Sequence, residues 1–192
     1  MNSNQNLIRI EWSLALAVVA LGITTIITQI ILLREFLSVF YGNELVIGII
    51  LANWMILSGV DSLLGRFSAK IKDKKSSIII TLTILTPIPI ITVFLLRFFR
   101  NIVFDVGSMV GIVQILYTSV LLLLPFCLLS GFLFTLFSET ISEKFKSNLI
   151  PKVYSLESFG SLIGGSMFSF VMIYFFETFQ SLLLLMVFNI IV

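Results

Sequence analysis

Histidine is absent from the 192 residues. That removes the commonest general base, the commonest metal ligand and the usual switch near neutral pH. Cysteine occurs once, at Cys127, which excludes an internal disulfide and a cysteine metal cluster. The thiol sits in an apolar block, where packing is its ordinary role. Charge is scarce too: 11% of residues are charged, against roughly 25% in a soluble domain. A net charge of +2 is too small to point to nucleic acid, so no nucleic-acid partner is expected. No metal-ligand spacing or catalytic triad is present, and no cofactor is expected in this chain.

What is there is apolar. Hydrophobic residues make up 58% of the chain and come in long blocks, and about 20 such residues match the hydrocarbon thickness of a bilayer. The expected partner is therefore the lipid bilayer, and the expected fold is a single all-α domain over residues 1–192, a polytopic transmembrane helix bundle. The blocks predict spans at about Ser13–Leu33, Leu45–Leu64, Ser77–Leu96, Val110–Phe137 and Tyr154–Phe176. A sixth begins near Phe179 and is still running at Val192, short of the ~20 residues a crossing needs. The chain thus reads as five full spans plus a truncated sixth, a fragment of a longer protein with no soluble catalytic domain. Barrel strands would alternate, whereas Leu121–Leu124 is solidly apolar. Pro87, Pro89 and Pro125 predict kinks or local unwinding, because each removes a donor and crowds the preceding turn. The first block exceeds a signal-peptide core and no cleavage site follows it, so it is read as retained.

Lysine and arginine set the orientation. Arg9, Arg66, Lys70, Lys72, Lys74, Lys75, Lys144, Lys146 and Lys152 fall on one side, and Arg34, Arg97 and Arg100 on the other. The bias predicts a cytoplasmic N-terminus. The expected location is a prokaryotic inner membrane.

Polar residues inside apolar blocks are the candidate sites, since a charged group at the bilayer centre costs about 2.5–3.5 kcal/mol on insertion scales. Thr24, Thr28 and Glu35 share one stripe of the first helix, with Thr25 and Gln29 beside it. Arg34 and Glu35 either mark the interface at the end of the span or turn inward to pair with another helix. Gly42 and Asn43 supply turn chemistry through their tolerance of positive φ, and Glu44 suits the start of the next helix. Asn53 can bond across to a neighbour. Asp61 reads as an interfacial carboxylate near Arg66 or as a buried proton or cation site. Gly48, Ala52 and Gly59 form a small-residue stripe suited to close helix packing, as do Gly160, Gly164 and the adjacent Gly165. The glycines deliver Glu157 toward a helix interface, where it is a hydrogen-bonded packing carboxylate or a functional one. Gly160 to Gly165 follows no strand and precedes no lysine, so no phosphate-binding loop is met.

In order along the chain come Gln29-Ile-Ile-Leu-Leu-Arg34-Glu35, Phe40-Tyr41-Gly42-Asn43-Glu44-Leu45, Gly48-Ile-Ile-Leu-Ala52-Asn53-Trp54 and Ser58-Gly59-Val60-Asp61. Tyr154-Ser-Leu-Glu157 then leads into Gly160 and Gly164-Gly165. This series resembles the membrane region of the membrane-embedded spermidine synthase-like proteins. The resemblance implies a multi-span module, likened to half of a major-facilitator transporter, ahead of a cytosolic Rossmann-type domain similar to aminopropyltransferases of polyamine metabolism. The acidic catalytic residues and glycine-rich loop of such a domain do not occur in these 192 residues, so no catalytic residue is assigned. Two positions depart from the pattern: Asp61 stands where glycine is expected, and Ala69 where an acidic residue is expected. Three functions follow as expectations: an anchoring module of such a transferase, a transporter-like unit with an intramembrane carboxylate site around Glu35, Asn53 and Glu157, and a structural subunit of a membrane complex.

Overall fold

Apolar runs without alternation satisfy their backbone groups in lipid only as helices. A computed structural model of the chain follows that rule. It describes residues 12–42, 44–64, 71, 73–103 and 110–191, with the side chains of 61–64 and 101–103 outside that description. The helices are α1 (Trp12–Val39), α2 (Glu44–Leu64), α3 (Lys74–Leu85), α4 (Ile88–Val103), α5 (Ile112–Phe145) and α6 (Ile150–Met167). A π-helical turn (Phe168–Met172), α7 (Ile173–Phe175) and α8 (Thr178–Ile191) complete the chain, and no strand occurs among the described residues.

Four stretches are long and apolar enough to cross a membrane: Trp12–Val39, Lys74–Arg100, Ile112–Phe145 and Ile150–Phe175. Glu44–Val60 and Thr178–Ile191 are shorter apolar helices. The third expected span is two helices, divided at Thr86 and Pro87. Pro87 has no N–H to continue the ladder. The Thr86 backbone N–H and hydroxyl both donate to the Leu82 carbonyl, at 3.1 and 2.7 Å, and close α3 there. Pro125, by contrast, lies inside α5 without interrupting it. With 34 residues, α5 is about 50 Å long at 1.5 Å per residue. That exceeds the ~30 Å hydrocarbon layer, so its charged last turns, with Glu139, Glu143 and Lys144, need not lie in lipid.

α1 and α5 end in the same way. Tyr41 and Lys146 take left-handed φ values of 50° and 49°. The next residue in each case, Gly42 or Ser147, donates back to a carbonyl five residues earlier, that of Leu37 or Ser142. Positive φ at the first reversal thus falls on Tyr41. Gly42 is needed for space, because a Cβ there would stand 2.3 Å from the Leu37 side chain. Asn43 lies outside the described residues.

Two helix pairs make the bundle: α1 with α6, and α2 with α5. The first is a backbone-to-backbone contact. A Cβ on Gly160 would stand 2.2 Å from the Val19 carbonyl oxygen, and one on Gly22 2.1 Å from that of Glu157. Gly164 faces Ile23 and Ile26, whereas Gly165 has ordinary contact distance to Ile26. The Ser161 hydroxyl adds a bond to the Gly22 carbonyl at 3.2 Å. In the second pair α2 buries Val46, Ile50, Asn53, Trp54 and Leu57, with Trp54 tilted against Phe126 of α5. Gly48, Ala52 and Gly59 fall on the far side of that stripe at about 100° per residue. A Cβ at Gly48 or Gly59 would meet open space, and Ala52 is exposed. Among the described residues the Gly48, Ala52 and Gly59 stripe therefore lies on the side of α2 away from α5. α3 lies on α5 and α4 on α1.

Candidate functional site

Charge is gathered at the two ends of the Lys74–Arg100 stretch. At its start Lys74 pairs with Glu139 at 3.1 Å and Glu143 at 2.6 Å, both on α5. At its far end Arg97 of α4 reaches Glu35 of α1. Its Nε lies 2.8 Å from Oε2 and its Nη2 2.8 Å from Oε1, a bidentate fork. The Thr178 hydroxyl, at the start of α8, donates to Oε1 at 2.6 Å. Glu35 is only 6% exposed, while the Arg97 side chain is 49% exposed and lies over the Phe179 ring. One carboxylate thus ties three helices together.

Arg34 points elsewhere. It is exposed, with its guanidinium 5.8 Å from the ring centroid of Phe168 in the π turn. Arg100 bonds the Tyr41 hydroxyl and lies over its ring. A cavity of about 350 Å³ opens between Arg34, Arg97, Phe168, Phe176 and Glu177. In the sequence Arg97 counts toward orientation alone. The signal that could have found its role is an arginine inside the apolar run from Ile88 to Phe99, which in lipid needs an anion.

The remaining candidates lie apart from this cluster. Glu44 is exposed in the first turn of α2, where it complements the helix dipole. The buried Asn53 amide donates to the Ser119 hydroxyl at 2.7 Å and the Leu116 carbonyl at 3.2 Å, stitching α2 to α5. Gln29 is half-buried on α1. The side chain of Asp61 lies outside the described residues. On the α1 stripe, Thr24 and Thr28 are buried with Glu35, and the Thr24 hydroxyl meets the Asn189 side chain of α8 at 2.9 Å.

Glu157 occupies a different setting. Its carbonyl abuts Gly22, near the middle of α1, and its half-buried side chain lines a cavity of about 400 Å³. Four helices wall this cavity. α1 contributes Leu21 and Thr25, and α2 contributes Trp54 and Ser58. α5 adds Ser130, Gly131, Phe134 and Thr135, and α6 adds Tyr154 beside Glu157. Tyr154 and Glu157 lie in the first half of α6, and Ser58, Ser130 and Thr135 in the second halves of α2 and α5, so the cavity sits in the half of the bundle nearer the lysine-rich ends. Among the described residues no hydrogen bond or ion pair reaches the Glu157 carboxylate. Glu35, Asn53 and Glu157 therefore do not form one cluster: Glu35 is clasped at one end, Asn53 bonds α5, and Glu157 faces a space. Of the hydroxyls around it the sequence singles out Thr25 alone, because Ser58, Ser130 and Thr135 are individually unremarkable in apolar helices. What links them is one cavity wall shared by three helices, α1, α2 and α5.

Comparison of the chain with family models, with curated proteins and with solved structures returned no match.

Proposed function

We propose that the chain is a transporter-like membrane unit whose intramembrane carboxylate, Glu157, receives a ligand. The observation that carries this reading is an unpartnered carboxylate on a cavity walled by four helices. An ionisable group within a spanning segment is expensive to keep and faces a bundle interior or a polar cavity when it is used. The unit crosses the bilayer with five spans and part of a sixth, its N-terminus in the cytoplasm. The nine-to-three distribution of lysine and arginine supports that orientation.

The test is reaction with dicyclohexylcarbodiimide, an apolar reagent for carboxyl groups in membranes, on the chain reconstituted in liposomes. Peptide mass mapping is expected to find the adduct at Glu157 and not at the clasped Glu35. Labelling of Glu35 with none at Glu157 would overturn the reading.

A second reading has its own support. Glu35, Gly160 and Gly164, all in the motifs that resemble spermidine synthase-like proteins, serve to hold the helices together. An anchoring module for a cytosolic aminopropyltransferase-like domain needs just such a rigid bundle. Its test is the coding sequence past the Val192 codon. A frame running into a glycine-rich strand–turn–helix pattern is expected on this reading, and a stop codon there, with no such domain encoded nearby, removes it.

A further inference from the structure

We infer that the cavity beside Arg34 and Arg97 holds a membrane phospholipid, with its phosphodiester at the two guanidinium groups and one acyl chain in a groove along α8. The site is separate from Glu157 and does not depend on what Glu157 receives.

The lining is rich in donors that the fold leaves unused. A guanidinium has five N–H donors and no acceptor. Glu35 takes two from Arg97, one on Nε and one on Nη2, which leaves three. Arg34 makes no hydrogen bond or ion pair among the described residues, and its guanidinium lies over the Phe168 ring. Ser181 lines the same cavity and is only 2% exposed, and no described residue bonds its hydroxyl. Thr178 and Phe179 line it too, in the first turn of α8, where backbone N–H groups have no partner within the helix. Donors from α1, α4 and α8 thus surround one space. Its lining carries a single acidic side chain, Glu177, which is exposed to solvent.

An anion with several acceptor oxygens answers such a lining. Guanidinium groups pair with phosphate oxygens bidentately, and the start of a helix favours negative charge. What makes the phosphate a lipid's is the groove next to it. A second cavity, of about 470 Å³, shares Phe176 with the first and is walled by Phe175, Leu183, Leu184 and Val187, with Gln180 among them. From Gln180 to Val187 it follows α8 for about 10 Å at 1.5 Å per residue. These apolar side chains are all exposed. A free phosphate would fill the polar cavity and leave the apolar groove uncovered. A phospholipid fills both, because one molecule joins a phosphodiester to an acyl chain, and basic pockets between spanning helices bind such head groups.

The test is native mass spectrometry of the full chain in detergent with three added probes: phosphatidylglycerol, the diacylglycerol with the same chains, and glycerol phosphate. One bound phosphatidylglycerol is expected, with neither of the other two retained at the same concentration. Arg34→Gln is expected to lower that occupancy at least fivefold, and Arg34→Lys less. Arg100→Gln removes an arginine outside the cavity and is expected to leave it unchanged. Glu177→Gln is expected to raise it, since the carboxylate opposes the phosphate. Helical circular dichroism should be the same in all four variants. If Arg34→Gln fails to fold, Arg34→Lys and Glu177→Gln carry the comparison. Equal retention of the diacylglycerol overturns the role given to the phosphate. Retention of glycerol phosphate to the same extent overturns the lipid assignment and leaves a site for a soluble anion. An equal loss in Arg34→Gln and Arg100→Gln, or no retained lipid at all, overturns the site itself.

Discussion

Two glutamates lie in spanning helices of the same bundle, and the bundle treats them oppositely. Glu35 accepts three hydrogen bonds, two from Arg97 and one from Thr178, and is almost wholly buried. Glu157, on the wall of a cavity, has no partner among the described residues. Partnering is what makes a buried carboxylate tolerable in a medium of low dielectric constant. Glu35 therefore belongs to the machinery that holds α1, α4 and α8 together. Glu157 makes no comparable bond to another helix among the described residues.

The sharpest way to break this contrast is to remove one member of the clasp. Arg97→Met leaves Glu35 buried with Thr178 as its sole remaining donor, and a destabilisation of about 3–5 kcal/mol is expected. Glu35→Gln leaves a half-exposed arginine that can turn to water, and a smaller loss of about 1.5–3 kcal/mol is expected. Equilibrium unfolding in detergent checks both, and the reverse order would contradict the difference in burial. Next comes Gly160→Ala, which forces a Cβ against the Val19 carbonyl oxygen and is expected to cost about 1–3 kcal/mol. Gly48→Ala, placed in open space, is expected to be neutral or to gain up to ~1 kcal/mol from helix propensity. Asn53→Ala should lose about 0.6–1.7 kcal/mol with the α2–α5 bonds. The smallest effect is expected for Glu157→Gln. Thermal melting followed by circular dichroism should stay level or rise, because no native bond is lost and a charge is removed from lipid depth. A fall comparable to that of Glu35→Gln would make Glu157 a structural residue like its counterpart.

The helices themselves are legible in the sequence because lipid leaves an apolar run no alternative to the helix. The break at Thr86 is legible for a local reason, since Pro87 lacks a donor. Pro125 carries the same local signal, yet α5 continues through it. The carboxylate pairing is not local: Arg97 and Glu35 are 62 residues apart, and either could have faced the interface. The side on which a helix packs is equally a property of two helices. Gly48, Ala52 and Gly59 look like a contact stripe, but α2 instead turns to α5 the opposite side, where Trp54 meets Phe126 and Asn53 meets Ser119. On α6 and α1 the glycines do meet, and Gly22, unremarkable by itself in the sequence, is as tightly placed as Gly160.

The π turn has a consequence for how the Ile150–Phe175 stretch counts its residues. The Ile173 N–H bonds the Phe168 carbonyl five residues back, so this turn holds one residue more than an ordinary one. The extra residue acts as an absorbed insertion: the buried stripe runs Gly160, Gly164, Phe168, Met172 at steps of four through the wide turn. Deleting Val171 would close the wide turn to an α turn and leave the following residues, Thr178 beside Glu35 among them, where they stand. The same deletion at Ile163 would swing everything after it about 100° around the helix axis. A relative whose chain is one residue shorter in this segment would keep the same bundle.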